Sequence, residues 1–240
     1  MPQTQKPLAQ VMSTIADNVS MVSARIRAAA LAAGRDEGSI GLLAVSKTKP
    51  AMAIRQAYAA GVRAFGENYL QEALGKQAEL ADLPLSWHFI GPIQSNKTKA
   101  IAEHFDWVHS VDRLKIAQRL SEQRTAGLPA LNICLQVNIS GEASKAGCTP
   151  AELPALAAAV RALPNLHLRG LMAIPEPTED RALQNAAFAQ VHALLHAVEP
   201  PLDTLSMGMS HDLEAAVAHG ATWVRIGTAL FGARDYGTPA

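Results

Sequence analysis

Four short stretches carry residue types that could act together chemically. Lys47 directly follows the apolar run Leu42-Leu43-Ala44-Val45-Ser46. Partial burial of such a lysine disfavours the ammonium, and the neutral amine is the form that attacks an aldehyde. The alternative is a solvent-facing side chain at a strand end, which is what Lys49 is expected to be. The second and third stretches are Gly227-Thr228 and Ser206-Met207-Gly208-Met209-Ser210. Each combines a glycine with a hydroxyl at an expected helix start, where backbone N–H groups and the helix dipole favour an anion. Taken singly, either hydroxyl could be an ordinary helix cap. The fourth is Arg225, inside the apolar run Trp223-Val224-Arg225-Ile226. A buried guanidinium needs a partner, either a carboxylate near the same end of the fold or the ring of a ligand. Ser210 and His211 are adjacent and so do not face each other on a helix start. The remaining histidines show no metal-like spacing, and no catalytic set and no metal site are expected. His88 and His109 lie on apolar strands and are read as satisfied interior residues, Lys97 and Lys145 as solvated loop lysines.

The elements that must position these residues alternate strictly. Val11, Ile15, Val19, Val22 and Ile26 form a helical stripe running to Gly34. Strand-length apolar runs follow at Ile40–Val45, Val62–Phe65, Ser86–Ile90, Trp107–His109, Leu131–Val137, Leu166–Ile174, Asp203–Ser206 and Thr222–Ile226. Helical stretches separate them. One opens at Pro50, one carries Leu70, Ala73, Leu74 and Leu80, one lies near Lys97–His104, and one carries Leu114, Ala117 and Leu120. Another starts at the capping-box spacing Thr149-Pro150-Ala151-Glu152; the next runs through Phe188, Val191 and Leu195, one starts at Ser210, and a brief one spans Thr228–Phe231. Strict alternation implies a parallel sheet with right-handed crossovers, and eight repeats imply a closed (β/α)₈ TIM barrel with one extra N-terminal helix. An open doubly wound sheet is the alternative, but no Gly-x-Gly-x-x-Gly follows the first strand. With no low-complexity segment or Gly/Ser-rich linker, residues 1–240 are expected to form a single domain. Function in such barrels gathers at the C-terminal ends of the strands, and phosphate sites are commonly built after strands seven and eight. That rule places Lys47, Asn68, Met172, Ser210 and Gly227-Thr228 at one mouth.

Bulk composition narrows the possibilities. The 21 basic and 21 acidic residues cancel, so no general field draws the chain to nucleic acid or an anionic membrane. Cys134 and Cys148 make neither a disulfide framework nor a zinc cluster and suit a reducing compartment. The N-terminus has no basic start followed by an apolar run, and no window is long enough to span a bilayer, so a cytoplasmic protein is expected. No long hydrophobic appendage is evident, and a monomer is expected.

Seven blocks in order carry a family resemblance: LLAVSKTKP at 42–50, FGENYLQEA at 65–73, WHFIGPIQSNK at 87–97, VNISGEASKAG at 137–147, GLMAI at 170–174, LSMGMSHDLEAA at 205–216 and VRIGTALFGARDY at 224–236. The chain closely resembles the pyridoxal phosphate homeostasis proteins over essentially its full length. The resemblance implies the barrel of the alanine racemase N-terminal domain, with pyridoxal 5'-phosphate at its mouth. Lys47 would form the Schiff base with the cofactor. Ser210, Gly227 and Thr228 would hold its phosphate, Arg225 would face the pyridine nitrogen, and Asn68 and Met172 would line the pocket. The family usually reads Ser-Asp-Asp-Met where this chain has Ser210-His211-Asp212-Leu213, which puts a change at the start of that helix. The implied function is holding the cofactor and balancing intracellular vitamin B6, with pyridoxal-phosphate-dependent apoenzymes as possible recipients. An arginine opposite the ring nitrogen disfavours its protonation and weakens the ring as an electron sink, which suits holding more than turnover. Alanine racemases add a second β domain and an opposing tyrosine, whereas this chain ends soon after the barrel and Tyr58, Tyr69 and Tyr236 do not follow strand six or seven. The alternative is a pyridoxal-phosphate-dependent racemase or lyase of low activity. A Schiff-base aldolase would place its lysine on strand six, which has none, and the helix surfaces do not resolve a purely interacting protein.

Overall fold

The computed structural model describes residues 13–141 and 145–233. An N-terminal helix, α1 (Ile15–Ala32), precedes eight strand–helix units: β1 (Gly41–Val45), α2 (Ala51–Ala59), β2 (Ala64–Glu67), α3 (Leu70–Glu79), β3 (Ser86–Phe89), α4 (Thr98–His104), β4 (Trp107–Val111) and α5 (Leu114–Gln123), then β5 (Leu131–Gln136), α6 (Leu153–Arg161), β6 (Leu166–Met172), α7 (Arg181–His196), β7 (Thr204–Ser206), α8 (Leu213–Ala218), β8 (Trp223–Ile226) and α9 (Thr228–Phe231). Every strand pairs parallel with its sequence neighbour, and β8 returns to β1 through Gly41↔Trp223 to Ala44↔Ile226. The sheet is therefore a closed barrel, and no open edge exists.

Local chemistry explains most boundaries. Thr14 caps α1, its Oγ1 accepting from Asp17 N at 3.1 Å while Thr14 N donates to the Asp17 carboxylate at 3.0 Å. Gly34 ends that helix with φ of 67°. Val19, Val22 and Ile26 bury one face of α1 against α2, α8 and α9; Val11, at the start of the expected stripe, lies outside the described residues. The Thr149–Glu152 capping box forms, but its residues make a turn and α6 begins at Leu153.

Two boundaries differ informatively. The second strand was expected over Val62–Phe65 and instead runs Ala64–Glu67, fully buried throughout. Val62 N closes the end of α2 on Ala57 O, and the strand continues into a glutamate because that charge finds partners inside the fold. The seventh unit's helix was expected from Ser210 and starts at Leu213. Asp212 Oδ1 accepts from Met209 N at 2.6 Å, and Asp212 N donates back to Met209 O, so a tight turn occupies those three residues. Ser210 is therefore a turn residue and not a helix cap.

The core fills the space between barrel and helices and the barrel itself. Leu43, Phe65, Val108, Ile133, Leu171 and Val224 belong to it. His88 and His109 are wholly buried inside, as their apolar strands suggested. At the end where β4 and β8 begin, Trp107 and Trp223 pack with ring centroids 6.1 Å apart and His88 beside both. That end is plugged, which leaves the C-terminal ends of the strands as the open face.

Candidate binding site at the barrel mouth

A cavity of about 270 Å³ opens at the C-terminal ends of the strands. It is near the lower bound of the ~300–1,000 Å³ typical of small-molecule sites. Lys47, Asn68, Ser210, Arg225, Gly227 and Thr228 all line it, although four different strand–loop units supply them. Met172 does not. It ends β6 at 1% exposure, paired with Ser206 below the rim. Two residues beyond, Ile174 is 45% exposed and lines the cavity in its place. Strand six was expected to reach Ile174, and its earlier end accounts for the misplacement. Val45, Ile90, Met209 and His211 complete the wall. A larger cavity of about 610 Å³ adjoins it at Met209 and His211.

Lys47 stands on a braced turn. The next residue, Thr48, has φ of 64°, a left-handed conformation that costs a threonine roughly 1–2 kcal/mol. Its N–H donates to Glu72 Oε1 on α3 at 2.7 Å. The same oxygen accepts from Lys76 Nζ, which also donates to Ser46 O and Glu67 Oε1, both at 2.8 Å. Ser46 Oγ donates to Glu67 Oε1 at 2.6 Å. Lys76 and Glu67 thus form a buried ion pair that ties the ends of β1 and β2 to α3. Burial raises the Glu67 carboxyl above its ordinary range, and the Lys76 cation opposes that rise. Composition cues miss this cluster, because Glu72 and Lys76, four apart on a helix, read as an ordinary surface pair. Lys49, expected to face solvent, is half-buried and donates to Ala233 O at 2.7 Å.

The opposite wall offers amides and hydroxyls. Gly208 has φ of 94°, and a Cβ there would sit 2.5 Å from the Ala216 methyl, so only glycine fits under α8. Its carbonyl accepts from Arg225 N at 2.9 Å, joining the loop after β7 to β8. Gly227 leads into α9 against Val45, whose carbonyl would lie 3.3 Å from an added Cβ. Thr228 opens α9, where the first amides lack intrahelical acceptors. From outside, Arg25 of α1 donates to Ser210 O at 2.7 Å and pairs with Glu214 at 2.5 Å. The extra N-terminal helix therefore clamps the Ser210 turn, a contact across 185 residues that no sequence pattern announces. His211, the departure from the family pattern, is exposed at the cavity rim, while Leu213 is fully buried in the core.

Arg225 is 5% exposed at the floor of the cavity. It donates to Ser206 Oγ at 2.9 Å and to Ala173 O at 3.0 Å. Among the described residues these partners are uncharged oxygens, so the ion pair considered from sequence is absent there. Burial pulls the guanidinium down to about 10, which leaves it protonated at neutral pH.

Comparison with known proteins agrees with this fold. The family described as the alanine racemase N-terminal domain matches residues 15–235. The pyridoxal phosphate homeostasis protein of Pseudomonas aeruginosa is 77% identical over 229 residues, 95% of this chain and 100% of its own. That of Escherichia coli is 54% identical over 231 residues, 94% of this chain and 99% of its own. The solved structure of PipY from Synechococcus elongatus with PLP bound superposes with a TM-score of 0.80 at 43% identity, covering 91% of this chain and 100% of that one. On that identity and coverage, the chain belongs to the pyridoxal phosphate homeostasis protein family, built on the barrel of the alanine racemase N-terminal domain.

Proposed function

We propose that the protein binds pyridoxal 5'-phosphate reversibly at the barrel mouth and so helps to balance the intracellular pool of this vitamin B6 cofactor. The observation that carries the reading is the convergence of Lys47, Asn68, Ser210, Arg225, Gly227 and Thr228 on one cavity. The cofactor supplies an aldehyde, a phosphate ester and a pyridine nitrogen. The donor set matches each group. Lys47 provides the amine that condenses with an aldehyde, releasing water, and the addition of water reverses the step. Ser210, Gly227 and Thr228 provide hydroxyls and amides for the phosphate. Arg225 holds a proton that it does not give up and donates it toward the ring nitrogen. Asn68 Oδ1 is buried without a hydrogen-bond partner, and Asn68 lines the cavity with Lys47, where a polar ligand would satisfy that atom.

A protonated Arg225 keeps the ring nitrogen unprotonated and the ring a poor electron sink, so the site is read as a holder and not an enzyme. The whole chain is read as one domain acting as a monomer in the cytoplasm, where its two buried, free cysteines fit a reducing medium. Pyridoxal-phosphate-dependent apoenzymes are the recipients this reading implies.

The test is an absorption spectrum of the purified protein after adding pyridoxal phosphate, beside Lys47→Ala. A visible band that borohydride abolishes, and that the variant lacks, is expected. A wild-type spectrum with no such band sinks the assignment. One observation favours a second reading, a racemase or lyase of low activity: His211 brings an imidazole to the cavity rim. The measurement is α-proton exchange of amino acids in D₂O. Exchange that disappears in His211→Asp, the residue usual in the family, would support the enzyme; its absence across a panel of amino acids supports the holder.

A further inference from the structure

The barrel interior holds a file of polar groups that runs on below Arg225. Arg225 Nη1 donates to Ser206 Oγ at 2.9 Å. Ser206 Oγ lies 2.7 Å from His109 Nδ1, and His109 Nε2 lies 2.9 Å from His88 Nδ1. His88 Nε2 lies 3.0 Å from Ser86 Oγ, at the first residue of β3. Four strands contribute, and the file crosses the barrel from the cavity floor to the plugged end. Ser206, His109 and His88 are wholly buried.

The chemistry of the groups permits one order of protons. A guanidinium only donates, so its N–H takes a lone pair of Ser206 Oγ. The hydroxyl hydrogen is left for His109 Nδ1, which must then be bare. A neutral imidazole with a bare Nδ1 carries its proton on Nε2. That proton goes to His88 Nδ1, also bare, and His88 Nε2–H reaches Ser86 Oγ. The reverse order would put the His109 proton and the Arg225 N–H on the same oxygen and leave the Ser206 hydrogen no acceptor in the file. A proton added to either imidazole breaks a link in the same way. Burial holds both histidines neutral, His88 down to about 3. Trp107 stacks on His88 at 5.5 Å and Trp223 meets it edge-on at 5.0 Å, which fixes the imidazole plane.

We propose that the His88–His109–Ser206 file is a positioning device for Arg225, fixing its guanidinium plane so that its remaining N–H groups face the ring nitrogen of the bound cofactor. The proposal rests on reading the cavity as the pyridoxal phosphate site. Ser206 and the Ala173 carbonyl each occupy one N–H of the guanidinium, and the fork cannot rotate without losing both. A cation so held cannot swing aside to let the ring nitrogen acquire a proton. His109 and Ser206 are positioning residues, because they act on the ligand only through Arg225.

Two measurements test it. The first is ¹⁵N NMR of the imidazoles in the wild-type protein without cofactor. His88 and His109 are expected to carry their protons on Nε2 at neutral pH; a proton on Nδ1 of either overturns the file. The second compares protein loaded with pyridoxal phosphate as wild type, Ser206→Ala, His109→Leu and His109→Asn. The first two variants cut the file beside Arg225. The third keeps an acceptor where Nδ1 stands. Ser206→Ala and His109→Leu are expected to shift the absorption and emission of the bound cofactor and to speed its release several-fold, with His109→Asn close to wild type. Cut variants that load, keep the wild-type spectrum and release at the wild-type rate overturn the proposal even if they melt earlier. Should the cut variants fail to fold, the NMR measurement on the unaltered chain decides. A wild-type protein that takes up no pyridoxal phosphate overturns the cofactor reading itself, a result distinct from either.

Discussion

Thr48 shows what the site demands of a single residue. A threonine at φ of 64° is held against its own preference, and Glu72 provides the hold through the Thr48 N–H. Strain of this kind persists where the surroundings over-determine a geometry that function uses. Glycine removes the strain, offset in part by the greater freedom it gives the unfolded chain. Thr48→Gly is therefore expected to leave stability unchanged or raise it by up to about 1 kcal/mol in urea unfolding. The same change frees the turn that carries Lys47, so bound pyridoxal phosphate should leave faster. A clear loss of stability would show that Thr48 contributes contacts worth more than its strain. Lys76 behaves in the opposite way. It is the cation between Glu67 and Glu72, and Glu67 is wholly buried. Lys76→Met leaves a buried carboxylate without its counter-ion, a change that costs about 3–5 kcal/mol. Its unfolding midpoint should fall accordingly, well beyond the effect of an exposed lysine such as Lys99.

At the scale of elements, α1 is the part of the fold whose purpose the sequence conceals. It lies outside the eight repeats, yet Arg25 reaches from it to the Ser210 carbonyl. The Arg25–Glu214 pair is about two-fifths exposed on each side, so its direct contribution to stability is small, on the order of 1 kcal/mol or less. Its effect on the turn is expected to be larger. Arg25→Ala should weaken pyridoxal phosphate binding several-fold in a fluorescence titration while the melting temperature moves little. Unchanged affinity would mean that Asp212 holds the turn alone. The same contrast explains what could be read in advance. Alternating apolar runs fixed the barrel, because both the repeat and its period are local properties. The Gly227-Thr228 and Ser210 turns were legible because barrels bind phosphate at a known address. Strand ends were less so. β2 runs into Glu67 and β6 stops before Ile174, because partners distant in sequence decide where pairing ends. The Ser46–Glu67–Glu72–Lys76 cluster and the Arg25 clamp were invisible for the same reason, and Lys49 was misjudged because Ala233 lies 184 residues away.

At the scale of the molecule, the two ends of the barrel divide the work. The mouth opens into the cavity that Lys47 and Arg225 line, and the other end is closed by Trp107, Trp223 and His88. Placing histidines in that closed core has a consequence for acid stability. Burial depresses the folded His88 from its ordinary value near 6.5 to about 3 and moves His109 the same way. Between those values the unfolded chain binds a proton that the folded chain refuses, so stability must fall as pH falls below about 6.5 and keep falling toward 3. Going from pH 7 to pH 5 costs about 2 kcal/mol through His88 alone, and His109 adds to the loss with the same sign. No protonation of the file is expected in that window, so acid should unfold the barrel and not retune the site. Urea unfolding at pH 7 and pH 5 separates the possibilities. Wild type should lose several kcal/mol between them, and His88→Gln should lose about 2 kcal/mol less. Equal losses in the two proteins would mean that His88 takes up its proton as readily in the folded barrel as in the unfolded chain. The neutral file that holds Arg225 could then not exist at mildly acid pH.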